Sequence, residues 1–203
     1  MADATTAAFL ELVAGRRGHF QLESGHHSSL WLDLDPLFSE PRRIEPFIKA
    51  LAQALVPYGV DAVCGPLLGG AFLAQLVARA LDVEFSFTER VTPSGAAGLY
   101  QVRYRLPAAL AARLRGKRVA MVDDVMSAGS ALRGTYAELQ AHGAEPVVAG
   151  ALSILGSAGN DYFVERGVGV EAVTRADYTL WLPAECPLCA ARELLEDVTA
   201  TRA

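Results

Sequence analysis

Residues 118–135 read RVAMVDDVMSAGSALRGT, and this stretch decides the fold. Four apolar residues, Val119 to Val122, run into two adjacent carboxylates, Asp123 and Asp124. Five small residues follow from Ser127 to Ala131, and a helix-like run begins at Leu132 and reaches His142. The pattern is a buried strand that delivers acids and a small-residue loop to a helix N-terminus. Such a terminus has backbone N–H groups without intrahelical partners and a partial positive charge, so it holds a phosphate well. Ala128 and Gly129 let the backbone approach an anion, and Ser127 and Ser130 add hydroxyl donors. The carboxylates serve differently: they accept hydrogen bonds from vicinal sugar hydroxyls or hold a water on Mg²⁺. Together these groups suit a ribose 5-phosphate. An ordinary βα turn with an N-cap serine has a similar outline. Two successive acids ahead of five small residues favour the sugar-phosphate reading.

The thirteen residues VAMVDDVMSAGSA resemble the phosphoribosyl pyrophosphate (PRPP) signature of the type I phosphoribosyltransferases. The resemblance implies that Asp123 and Asp124 bind the ribose 2- and 3-hydroxyls. It also implies that the PRPP-binding stretch runs on through Val125, Met126, Ser127, Ala128, Gly129, Ser130 and Ala131, with 126–131 wrapping the 5-phosphate. Residues 18–33, GHFQLESGHHSSLWLD, resemble the opening of the orotate phosphoribosyltransferases, with Gly18, Phe20, Leu22, Ser24, Gly25, Ser28 and Asp33 in register. By that likeness Glu23, Ser24, Gly25 and Ser127 face the base. Residues 65–78, GPLLGGAFLAQLVA, look like the family's pyrophosphate loop, with Leu68, Gly69 and Gly70 at the turn. The implied fold is α/β, the type I phosphoribosyltransferase fold: a central, mostly parallel sheet flanked by helices. One domain of 1–203 is expected, with a small N-terminal hood of about 1–40 plus the C-terminal segment over a core of about 41–175. The implied activity joins a nucleobase to PRPP and releases pyrophosphate, with Mg²⁺ as cofactor and a homodimer as the assembly.

Bulk properties agree. A chain of 203 residues with 52% apolar and 20% charged residues builds one sizeable core. A net charge of −5 argues against general nucleic-acid binding, which needs a basic face. No apolar run approaches membrane-spanning length, so no membrane association is expected. The N-terminus does not read as a signal peptide, and three cysteines suit a reducing cytoplasm.

Periodicity predicts helices over 3–14 and 41–56, a strand over 60–64, a helix ending at Leu81 and a strand over 83–87. HFQLE and SSLWLDL read as strands about the turn Ser24-Gly25. Residues 88–117 read as a long loop with a ribbon near 98–106. After the signature come a strand at 146–155, a helix near 160–166, and strands at 168–173 and 178–182 that complete the sheet. The binding crevice of such a sheet lies beyond its strand C-termini.

The chain departs from the orotate pattern at its charged positions. The family's mobile catalytic loop carries lysines and a histidine, whereas residues 88–101 contain neither and offer Arg90 as the catalytic cation, beside Asp123 and Asp124. Glu23 stands where the family has a lysine, and Gly156-Ser157-Ala158 stand where it has an arginine for the orotate carboxylate. Losing such a charged pair typically costs a few kcal/mol, about two to three decades of affinity. Three readings follow. The base is neutral or cationic; or it is orotate, with cations drawn from Arg90, Arg103, Arg105, His26 or His27; or the chain is a non-catalytic PRPP- or nucleotide-sensing regulator. Cys186-Pro-Leu-Cys189 has the spacing of half a zinc site, but no second such pair follows, so reduced thiols capping a C-terminal helix are expected. His26 and His27 are expected as hydrated turn residues, with the base pocket as the alternative. Trp31 and Trp181 are expected to be packed, and Arg42 and Arg43 to be solvated.

Overall fold

A computed structural model describes residues 4–22, 24–91, 103–176 and 178–198. In chain order the elements are α1 (Ala4–Leu12), β1 (Ala14–Gln21), β2 (His27–Asp33), α2 (Pro41–Leu55), β3 (Ala62–Pro66), α3 (Gly69–Leu81), β4 (Glu84–Val91) and β5 (Arg103–Arg105). They continue with α4 (Ala108–Leu114), β6 (Arg118–Met126), α5 (Ser130–Ala141), β7 (Glu145–Leu155), α6 (Ala158–Val164), β8 (Gly169–Ala176), α7 (Pro187–Ala190) and β9 (Glu196–Asp197). Six strands form the central sheet in the order β5-β4-β3-β6-β7-β8. All its pairings are parallel except β4 with β5. This is the mostly parallel α/β sheet that the sequence implied.

Strand alternation splits the core between the two faces. Ala120 and Val122 of β6 point into one layer with Phe47, Leu51 and Leu55 of α2 and Leu73 and Val77 of α3. Val119 and Met121 point into the other with Leu114 of α4, Leu132 and Leu139 of α5 and Phe163 of α6. Because both faces are covered, β6 reads as an unbroken apolar run until it reaches its acids.

A second, three-stranded sheet has the order β2-β1-β9. The turn between β1 and β2 closes through a Gly25 N–H to Leu22 carbonyl bond of 2.8 Å. Gly25 sits there at φ +81°, a left-handed conformation that a side chain would strain. The C-terminal β9 pairs parallel with Phe20 and Gln21 of β1.

Two element predictions need correction. Residues 108–114, read within a long loop, form α4, because AALAARL is built from strong helix formers and buries Ala111 and Leu114. Residues 178–182 form no strand of the central sheet; Trp181 makes a single antiparallel bridge to His27 instead. The ribbon expected near 98–106 lies partly outside the described residues, and its described part, β5, pairs with β4.

Leu51 is fully buried at the centre of the α2 layer. Leu51→Ala should destabilise the chain by about 2–5 kcal/mol. A denaturant midpoint that falls with unchanged slope would show it, and a loss below about 1 kcal/mol would contradict this packing.

Candidate functional site

β3 and β6 are neighbours and run parallel, so the turns at their C-terminal ends lie side by side. The turn after β3 carries Gly69 and Gly70, and β6 carries Asp123 and Asp124. A Cβ on Gly70 would stand 2.8 Å from Asp123 Oδ1 and 2.6 Å from the Pro66 ring. A Cβ on Gly69 would fall on Asp124 Oδ2, and one on Gly65 would fall on the Gly70 carbonyl. These three glycines are needed for close approach rather than for turn conformation. Leu67 and Leu68 are joined by a cis peptide bond.

The acids are half-buried and braced by backbone donors. The Asp124 N–H donates to Asp123 Oδ1 at 3.1 Å, and the Val125 N–H donates to Asp124 Oδ1 at 2.7 Å. Beyond them the chain reaches Gly129, the N-cap of α5, at φ +73°. No side chain caps this helix, so the N-cap serine of the ordinary turn reading is not what forms here. Met126 and Ala128 are buried, and the loop rests on α6. The Gly159 N–H donates to the Ser127 carbonyl at 3.0 Å. A Cβ on Gly159 would stand 2.7 Å from that carbonyl oxygen. Gly159 thus positions the small-residue loop, and no motif in the sequence points to it.

An open crevice of about 790 Å³ gathers these parts. Leu68, Gly69, Gly70, Arg90, Asp123, Asp124, Val125, Ser127, Gly129, Ser130 and Ala131 all border it. Phe38, Phe72 and Tyr104 border it as well, without any sequence signal that foretold them. Tyr104 is held by α5, where a Cβ on Gly134 would stand 2.6 Å from its ring. A smaller pocket of about 190 Å³ adjoins the crevice and shares Leu34, Arg90, Val125, Ser127 and Ser130 with it. Its other walls are mostly apolar: Leu22, Trp31, Leu32, Leu155, Tyr178 and Val198, with the Ser24 hydroxyl among them.

Ser24 is buried and lies 3.1 Å from His26 Nδ1. Burial, and then the Arg133 charge, hold His26 below the ordinary histidine range. Burial pushes the Tyr178 phenol up, and its hydroxyl donates to the Leu30 carbonyl at 2.9 Å. Trp31 is half-buried beneath the Arg16 guanidinium, 4.6 Å from the ring centre. Gly25 forms the turn without lining either pocket among the described residues. Glu23 lies outside the described residues.

Of the substitute cations, Arg90 borders both pockets. Arg103 and Arg105 are exposed on β5, where Arg105 pairs with Glu89 at 3.5 Å. Arg42 and Arg43 are exposed, as expected. The hydrated-turn expectation fails for His27, which is only 3% exposed. Its ring turns away from the pocket and faces Cys189 Sγ at 3.3 Å. The thiols do not cap a helix either: Cys186 is the N-cap of α7 but makes no side-chain capping bond.

A family model described as the phosphoribosyl transferase domain matches residues 39–162. The chain belongs to the phosphoribosyltransferase family. The orotate phosphoribosyltransferase of Thermotoga maritima is 34% identical over 172 residues, spanning 85% of this chain and 84% of that protein. The orotate phosphoribosyltransferase of Carboxydothermus hydrogenoformans is 35% identical over 184 residues, spanning 90% and 89%. Among solved structures, the orotate phosphoribosyltransferase of Aeropyrum pernix superimposes with a TM-score of 0.63 at 24% identity, covering 84% of this chain and 93% of that one. The adenine phosphoribosyltransferase of Trypanosoma brucei, solved with AMP, pyrophosphate and ribose-5-phosphate, gives 0.65 at 13% identity, covering 85% and 79%. These two structures share the phosphoribosyltransferase fold with this chain.

The role of Gly159 in this phosphoribosyltransferase is testable. Gly159→Ala should push the Ser127 carbonyl aside and weaken ribose 5-phosphate binding about tenfold, roughly 1.4 kcal/mol. Titration of wild type and variant reads it; equal affinities would mean that the loop does not depend on α6.

Proposed function

We propose that this phosphoribosyltransferase transfers the phosphoribosyl group of PRPP to orotate and releases pyrophosphate. The observation that carries this reading is the shared wall between the two pockets. A crevice with acids, a small-residue loop and a glycine turn opens directly onto an apolar pocket of base size, with Arg90 at the junction. The orotate phosphoribosyltransferases among its relatives support the choice of base.

Asp123 and Asp124 accept the ribose hydroxyls. The backbone N–H groups and hydroxyls of 127–131 hold the 5-phosphate at the α5 terminus. Leu68, Gly69 and Gly70 present backbone to the pyrophosphate. A ring nitrogen of the base bonds to ribose C1 as the C1–oxygen bond breaks; pyrophosphate leaves with that electron pair, and the proton of the ring N–H passes to solvent. Positive charge builds on the ribose, where the nearby carboxylates favour it. The paired carboxylates are an all-oxygen donor set, which fits Mg²⁺ held through water at Asp123 and Asp124. When bound, this ion neutralises charge on the leaving pyrophosphate.

Orotate is an anion, and Arg90 is the only cation bordering the apolar pocket among the described residues. A guanidinium can grip a carboxylate with two parallel hydrogen bonds. Arg90 thus supports the reading in which cations come from outside the family's usual positions. The Ser24 and Ser127 hydroxyls add polar contacts to the base. The chain would work in the cytoplasm as a homodimer, each subunit one domain with its hood of about 1–40 and C-terminal segment over the 41–175 core.

Asp124→Asn should weaken PRPP binding at least tenfold while leaving the melting temperature unchanged; unchanged affinity would remove the ribose assignment. Arg90→Gln addresses the base. Wild type should prefer orotate over uracil, which lacks the carboxylate, and the variant should lose about two decades of that preference in kcat/KM. A preference retained in full would place carboxylate recognition elsewhere.

A further inference from the structure

Away from both pockets, four metal-ligating side chains converge from distant parts of the chain. His19 lies on β1, His27 opens β2, and Cys186 and Cys189 flank the start and third position of α7. Their ligating atoms all lie within 4.8 Å of one another. The His19 Nε2 to His27 Nδ1 separation is 3.1 Å. His19 Nε2 lies 3.4 Å from Cys186 Sγ and 3.7 Å from Cys189 Sγ, and His27 Nδ1 lies 3.3 Å from Cys189 Sγ.

These four separations lie close to the edges of a metal tetrahedron, and the whole set falls within 4.8 Å. With Zn–S near about 2.3 Å and Zn–N about 2.0–2.1 Å, tetrahedral edges come to about 3.3 Å for N–N, about 3.6 Å for N–S and about 3.8 Å for S–S. The surroundings are also prepared for a metal. His19 Nδ1 lies 3.1 Å from the Glu193 carbonyl, so its N–H donates there and the Nε2 lone pair is left facing the cluster. His19, His27 and Cys186 are each only 3% exposed. Two imidazoles and two sulfurs gathered in so little space, with the tautomer of one ring fixed from behind, go beyond what thiols capping a helix would require.

We propose that His19, His27, Cys186 and Cys189 bind one structural Zn²⁺. Two thiolates with two neutral imidazoles, four-coordinate, is a donor set that favours zinc. Binding forms two Zn–S and two Zn–N bonds and releases one proton from each thiol. All four positions are filled by protein, so the ion is a staple rather than a catalyst. It ties the β1–β2 hairpin to the C-terminal segment. That segment runs on through β9 to Val198, which lines the apolar pocket together with Ser24. The zinc would thereby fix the outer wall of this pocket, whichever base the pocket takes.

The test is elemental analysis of the purified full chain together with cobalt substitution. One zinc per chain is expected. Replacing it with Co²⁺ should give the intense visible bands of tetrahedral cobalt and a thiolate-to-cobalt charge-transfer band in the near ultraviolet. Cys186→Ser with Cys189→Ser should abolish both, and a strong chelator should lower the wild-type melting temperature by at least about 5 °C. Wild-type spectra keep the test decisive if the double variant misfolds. Reduced, folded wild type that takes up neither zinc nor cobalt would overturn the proposal. So would cobalt bound without the thiolate band, or a Cys186–Cys189 disulfide that persists under mild reductant.

Discussion

The adjacency of β3 and β6 in a parallel sheet is the constraint on which the site depends. Parallel neighbours point their C-terminal ends the same way, so the turns that follow them emerge together. One turn is rich in glycine, and the other strand ends in two acids and a small-residue loop. A Cβ at Gly69 or Gly70 would crowd the Asp124 or Asp123 carboxylate, and one at Gly65 would fall on the Gly70 carbonyl, so each would force the first turn or the acids to shift. Sheet order therefore creates the crevice, and the absence of side chains at the glycines keeps it open. Backbone N–H groups, two carboxylates and hydroxyls are what the crevice then offers, the groups on which the proposed binding of PRPP rests.

The apolar pocket is built differently. Its walls come from the sheet, through Val125 and Leu155, and from the β1–β2 hairpin, through Leu22, Ser24, Trp31 and Leu32. The chain's last described residue, Val198, closes it. A hairpin of two strands is marginal alone. Here it gains a third strand, β9, and an Arg16–Glu196 ion pair at 2.6 Å that is exposed and contributes little. The buried His–Cys cluster adds to the polar ties between hairpin and C-terminal segment, beside the Trp181–His27 bridge and the bond from the Tyr178 hydroxyl to the Leu30 carbonyl. The smaller pocket thus depends on contacts distant in sequence, while the acids, small-residue loop and glycine turn of the crevice are encoded locally.

That contrast explains what was legible in the sequence. The phosphate loop, the acids and the glycine turn each occupy a short contiguous stretch, and strands alternating with helices fix a parallel sheet around them. The fold could be read directly, as could the grouping of these three stretches about one crevice. Residues 108–114 were obscured because they follow a stretch punctuated by Pro93, Gly95, Gly98 and Pro107, which reads as a loop. The 178–182 stretch has the apolar content of a strand, but its backbone pairs with His27 at one point only. Cys186 and Cys189 signalled half a metal site. Their partners stand at sequence separations of 162 to 170 residues, on two strands whose register no local pattern reveals. His19 carried no signal of its own. Arg90 was legible as a lone cation, but its place between the two pockets follows from the antiparallel pairing of β4 with β5 and from the sheet order.

In the proposed reaction the crevice and the adjoining pocket work together in one turnover. An initial-rate assay with PRPP, Mg²⁺ and orotate, following pyrophosphate release and orotate consumption in parallel, tests it most directly. One pyrophosphate should be released for each orotate consumed, and none without the base. PRPP that binds but yields no pyrophosphate with orotate present would contradict it, and would leave a PRPP-sensing protein on a phosphoribosyltransferase fold.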